Sequence, residues 1–195
     1  MPRNHISMLR VLIVIFCTAI SSNLYARSLD FNLSSESVQA KYATLMGATN
    51  YGRTEFGFGF LYHEDKNYLG EVSLLVIDEA GSKSPGLEAG VGVKFYYGQA
   101  DKPDVRFSGI GLGGQLRYRH ASAPRIIYSG ALFYAPGIVS FQDADQIFDA
   151  VATLEFEVIP TANVYVGYRY IETEIKNRPD VTIDDNFILG MRFKF

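Results

Sequence analysis

Most of the chain consists of short runs in which apolar and polar residues alternate. In the run 55–62, four aromatic residues lie on one side, and Glu55 and two glycines lie on the other. A period of two residues is typical of β-strands with two different faces. No segment after Arg27 has sustained helical periodicity or enough apolar residues for a transmembrane helix. The pattern therefore predicts an all-β fold.

Polar turn clusters separate about ten runs, at residues 29–33, 38–42, 55–62, 68–76, 87–97, 109–119, 125–135, 148–158, 164–170 and 186–195. Both sides of the run 125–135 are apolar, so the alternation does not show which side faces the lumen. We expect ten strands. Eight are possible if the first two runs pair differently or form a plug.

The two faces of the strands indicate a membrane barrel rather than a soluble sandwich. One face carries Phe, Tyr, Val and Leu to the strand ends, where a lipid-facing barrel has its aromatic girdles. The other carries Glu, Arg and Lys mixed with Gly, and a sandwich core excludes such charges. A closed barrel also leaves no unpaired strand edge in the bilayer. We therefore predict a small antiparallel transmembrane β-barrel.

Turn lengths suggest how the barrel is oriented. The short segment Pro160–Asn163 is typical of a periplasmic turn, and the segments Gln99–Arg106 and Lys176–Asp184 are typical of extracellular loops. With both termini in the periplasm, the number of strands must be even.

The N-terminus has the three parts of a secretory signal peptide. Arg3 and Arg10 are basic, Val11–Ala19 is apolar, and small residues lead to a predicted cleavage after Ala26. An uncleaved anchor helix is the alternative, but the apolar run is shorter than the roughly 20 residues that span a bilayer. We expect a signal peptide over residues 1–26 and a barrel domain over 27–195.

Composition excludes some functional classes. The 18 basic residues against 21 acidic ones give no basic face for nucleic acid. The only cysteine, Cys17, lies in the predicted signal peptide. It follows Phe16, where a lipoprotein signal needs a small residue, so lipidation is not expected. Because the cleaved protein would contain no cysteine, a disulfide is not expected either.

The C-terminus resembles the signal by which outer-membrane proteins are recognised. Gly190 precedes hydrophobic residues at alternate positions, including Phe193, and the chain ends on Phe195. Ile188 replaces the usual polar residue before the glycine. The resemblance implies the barrel-assembly machinery as a partner during biogenesis and outer-membrane lipids as surroundings.

A second resemblance is to the YfaZ family of bacterial outer-membrane proteins. It is carried by Leu132–Pro136, Phe141–Asp145 and Asn163–Arg169. The layout agrees over most of the barrel domain, while the specific motifs lie between residues 130 and 170. The family implies a barrel of about this size in the outer membrane. It supplies no catalytic or ligand-binding residues.

Candidate chemistry is sparse, and we predict no catalytic, cofactor-binding or metal-binding residues. Gly109–Gly114 has the spacing of a dinucleotide-binding loop, but it continues as an alternating strand where a helix is needed. His63 and His120 fall at opposite ends of the predicted barrel, without a serine motif. A lipid-modifying enzyme therefore remains a minor alternative.

Three aspartates after Pro136 are candidate calcium ligands, because their oxygens suit that ion. Asp143, Asp145 and Asp149 lack the glycine and final glutamate of an EF-hand. A solvated loop, or one folded into the lumen, is the favoured interpretation.

The inward faces carry charges of both signs. The predicted lumen-lining residues are Glu55, Glu71, Glu88, Lys94, Gln115, Arg117, Arg119, Glu155, Glu157, Arg169, Arg192 and Lys194. Their side chains either form a salt-bridged plug or line a narrow aqueous path. We favour a narrow porin-like channel for ions or small solutes. The alternative is a structural or adhesion barrel with a closed lumen and partner-binding loops.

Overall fold

The computed structural model describes residues 26–49, 52–79, 85–101, 104–176 and 179–195. The predicted signal peptide, Cys17 included, lies outside these residues, apart from Ala26 at the predicted cleavage site. Within them the fold is all-β, with one three-residue 3₁₀ turn at Gly137–Val139. No helix among the described residues is long and apolar enough to cross a membrane.

Ten long antiparallel strands close into a barrel. The described strands are β1 (Ala26–Leu33), β2 (Ser37–Thr49), β3 (Gly52–His63), β4 (Tyr68–Glu79), β5 (Leu87–Ala100), β6 (Val105–Arg119), β7 (Ile126–Ala135), the short β8 (Ser140–Gln142), β9 (Ala144–Ile159), β10 (Ala162–Ile175) and β11 (Val181–Lys194). Long strands adjacent in the chain pair with each other, and β1 pairs with β11 to close the ring. The prediction of ten strands is confirmed.

The short strand β8 belongs to the connection between β7 and β9. Its residues pair with Phe107–Gly109 of β6, beyond the point where β7 ends. It therefore extends the wall at one place and adds no strand to the ring.

The barrel has two ends, which we name for what lies there. β1 begins and β11 ends at the termini end, while β1 ends and β2 begins at the loop end. Two predicted loops are shorter than expected, because β5 continues to Ala100, β6 starts at Val105 and β11 starts at Val181. Strand pairing satisfies the backbone of these extra residues.

The exterior is apolar, as the alternation predicts. Side chains such as Phe60, Val76 and Leu112 are exposed on strands whose intervening residues are buried or face the interior. Tyr118 and Tyr128 stack on neighbouring strands near the termini end, with ring centroids 6.4 Å apart. An exposed apolar belt with aromatic residues at its edge is the exterior of a lipid-facing barrel.

The structure fixes the facing of β7, which the sequence left open. Ile127, Phe133 and Ala135 are buried inside, whereas Tyr128 and Leu132 are exposed.

Candidate functional site in the barrel lumen

The lumen has an apolar half and a polar half. At the loop end, twelve buried apolar residues pack together, and we call this group the apolar plug: Leu61, Leu69, Ala100, Val105, Phe107, Ala135, Ala144, Ile147, Ile171, Ile175, Val181 and Ile183. The ring of Phe107 lies over Gly98, where an added Cβ would be 2.3 Å from it. The sequence predicts inward faces that carry charged residues and glycines, and at this end the inward residues are mainly apolar.

A pair of charges crosses the lumen where the plug ends. Lys94 on β5 places Nζ 2.7 Å from Oδ2 of Asp149 on β9, and β6 and β7 lie between those strands in the wall. The hydroxyl of Tyr96 donates to the same oxygen at 2.9 Å. Lys94 also lies 4.3 Å from the ring centroid of Phe133 and 3.5 Å from Glu71. This layer separates the plug from the polar half.

The polar half contains a cavity of about 490 Å³, which we call the vestibule. It extends from Lys94 and Phe133 to the termini end, where Lys194 and Phe195 line it. Eight of the predicted lumen residues line it: Glu55, Glu71, Glu88, Lys94, Gln115, Arg117, Arg192 and Lys194.

One wall of the vestibule is organised around the buried carboxylate of Glu155. Four side chains donate to it: Arg117 at 2.9 Å, Asn163 at 2.7 Å, Ser129 at 3.1 Å, and Arg192 at 2.5 Å. Arg192 also donates through Nε to Asp30 at 2.8 Å. Glu155 thus lies behind its cations, away from the cavity.

Further ion pairs occur at the mouth and on the opposite wall. At the mouth, Arg119 donates to Glu157 at 3.0 Å, and Lys194 lies 3.9 Å from the same carboxylate. The opposite wall pairs Arg53 with Glu88 and Lys41 with Glu71, each at 2.9 Å. Both walls carry cations paired with carboxylates, so the two walls do not carry opposite charges.

Arg169 belongs to a separate network near the loop end. Its guanidinium pairs with Asp184 and donates to Asn32, Gln39 and Ser37. The side chain is almost fully buried and does not line the vestibule.

Sequence reasoning missed several lumen residues that the alternation could have found. Asp30 and Lys41 face inward, as do the polar residues two positions away on their strands. Arg53 lies two residues before Glu55 and therefore on the same face. Asp149 was grouped with the loop aspartates, but it lies in β9 and faces the lumen. Asp143 accepts a hydrogen bond from the backbone of Arg106, so the three aspartates do not converge.

The two histidines lie at opposite ends, as their positions predict. His63 is near Glu36 at the loop end, and His120 accepts a bond from the backbone of Ser122. Among the described residues, neither histidine bonds to a hydroxyl group, and no three His, Cys, Asp or Glu side chains form a metal-binding group. Gly109–Gly114 lies within β6, so it forms no phosphate-binding turn.

The C-terminal strand has one close internal approach. The ring of Tyr165 lies over Gly190, where an added Cβ would be 2.2 Å from the ring. Its hydroxyl donates to Asp30 on β1. Only glycine leaves room for this ring, which holds β10 against the strands that close the barrel.

Comparison with protein-family models decides the family. The model described as YfaZ precursor matches residues 6–195. The chain belongs to the YfaZ precursor family. The resemblance inferred from the sequence is therefore confirmed. No curated protein matches this member of the family.

Some solved structures have a limited likeness to this YfaZ chain. A bacterial polysaccharide outer membrane secretin has a TM-score of 0.47 at 16% identity, covering 82% of this chain and 57% of that one. A KdgM porin has a TM-score of 0.45 at 11% identity, covering 87% and 99%. A KdgM porin in complex with disordered oligogalacturonate has a TM-score of 0.42 at 14% identity, covering 86% and 99%.

Proposed function

We propose that this porin-like barrel lies in the bacterial outer membrane and passes ions or small solutes through a narrow, gated lumen. Export would use residues 1–26 as a cleaved signal peptide, and insertion would use the barrel-assembly machinery. The termini end would face the periplasm.

The observation that carries the proposal is the division of the lumen. A polar vestibule of about 490 Å³ ends at a layer of Lys94, Tyr96 and Phe133, and the apolar plug lies beyond. Apolar constrictions can gate channels by excluding water. In this conformation the plug blocks passage, so conduction requires its side chains to separate.

Planar-bilayer recording tests the gate. We expect the wild-type barrel to open rarely, and Phe107→Ala to open more often or more widely, because it removes the plug's largest apolar side chain. Leu69→Ala provides a second plug variant in case the first does not fold. Phe156→Ala is the matched control, since Phe156 faces outward on β9. Wild-type behaviour in both plug variants would overturn the gated channel.

A closed structural barrel is the second candidate, because the plug side chains are buried and pack together at the loop end, beside the buried network of Arg169. Its function would then depend on loops at the loop end that contact a partner. This candidate predicts silence in the wild type and in both plug variants. We propose no catalytic role.

A further inference from the structure

The ion pairs of the vestibule are asymmetric in exposure. Arg117 is 26% exposed while its partner Glu155 is 0% exposed, and Arg192 is 24% exposed while Asp30 is 8% exposed. We call Arg117, Arg192 and Lys194, together with Arg119 at the mouth, the basic wall. A solute in the vestibule meets the cations of this wall first.

In this wall the arginines also have more unused hydrogen-bonding capacity than the carboxylate of Glu155. Glu155 already accepts from four side chains, so its lone pairs are occupied. A guanidinium has five N–H donors. Arg117 engages only Nη2 in its ion pair, and Arg192 engages Nε and Nη1. N–H groups of both arginines therefore remain for a solute, whereas the carboxylate of Glu155 has no lone pair left.

The local charge balance adds to this preference. The four cations of the basic wall share three side-chain carboxylates, those of Asp30, Glu155 and Glu157. On the opposite wall, Arg53 and Glu88 are about equally exposed and cancel. The vestibule therefore favours negative charge on one side.

We propose that the basic wall binds the oxyanion group, a carboxylate or phosphate, of a small solute that enters from the termini end. Arg117 and Arg192 would donate to the anion, and Lys194 would contribute charge at the mouth. A cavity of about 490 Å³ lies within the range of small-molecule sites, roughly 300–1,000 Å³. This binding goes beyond passage through the barrel, because it does not require the plug to open.

Calorimetric titration of the refolded barrel in detergent tests the site. The probes are inorganic phosphate, citrate and tetramethylammonium, added at matched ionic strength. We expect at least one of the two anions to bind and the cation not to bind, and comparing phosphate with citrate distinguishes the two oxyanion sources. Lys194→Gln should weaken anion binding about fivefold, the equivalent of about 1 kcal/mol.

Lys176→Gln is the matched control, because Lys176 loses the same charge at the loop end. It should bind the anion as the wild type does. A heat-dependent gel shift establishes that each variant is folded before titration. Absence of anion binding, equal weakening by both variants, or equally tight binding of tetramethylammonium would overturn the site. Conductance of the plug variants is measured separately, so failure of the channel leaves this result interpretable.

Discussion

The Nζ of Lys94 lies 2.7 Å from Oδ2 of Asp149, although two strands separate them in the barrel wall. Both side chains are buried, so this pair joins two separated parts of the barrel wall in an environment with little water. The pair lies between the vestibule and the apolar plug, so it is part of the layer that separates them.

Replacing Lys94 should therefore destabilise the barrel. Lys94→Met leaves the buried carboxylate of Asp149 without its cation, and breaking a buried pair in this way costs about 3 kcal/mol or more. Urea unfolding of the barrel in lipid vesicles measures the loss. Lys176→Met is the exposed control and should change stability little. A similar small change in Lys94→Met would show that water reaches Asp149.

Two arginines should differ in their contribution to stability. Arg169→Met removes the cation from the buried carboxylate of Asp184 and should lower the free energy of unfolding by about 3–5 kcal/mol. Arg117→Met should cost only about 1 kcal/mol, because Glu155 keeps three other donors. The same urea titration compares both variants. The opposite order would mean that Arg117 is the residue that holds the lumen together.

Heating should change the protein's mobility on detergent gels. A closed barrel keeps its ladder of backbone hydrogen bonds in detergent until it is boiled, so the unheated sample should run as a compact species. Circular dichroism should show β-structure before heating. Identical migration of heated and unheated samples, together with a helical spectrum, would contradict the barrel.

The final phenylalanine should affect biogenesis more than stability. Phe195 is 76% exposed, so Phe195→Ala removes little packing, but it deletes the last residue of the assembly signal. We expect less protein in the outer membrane and normal refolding of the purified variant in detergent. Phe187→Ala is the control, since Phe187 is 81% exposed on β11, the strand that Phe195 follows, and lies away from the terminus. Equal outer-membrane levels of Phe195→Ala and wild type would contradict this role.

Much of the barrel could be predicted because strand facing is a local property. Glu55, Gly57 and Gly59 share one parity with aromatic neighbours on the other, and the structure keeps that division. The run 125–135 could not be assigned, because Ile127 inside and Tyr128 outside are both apolar. A buried inner face and a lipid-facing outer face both accept apolar residues, so only the tertiary packing shows which side of the strand is which.

The sequence by itself determined that two-faced strands form a closed barrel and that residues such as Arg117 and Glu155 point inward. Tertiary structure decided which inward residues meet. Lys94 and Asp149 come together because pairing through β6 and β7 and the curvature of the wall bring the inner faces of β5 and β9 close, a relationship between distant segments that no local pattern records. Tertiary structure also decided which part of the lumen excludes water. Inward apolar residues such as Phe107 and Ile147 exclude water only once several strands of the ring bring them into contact.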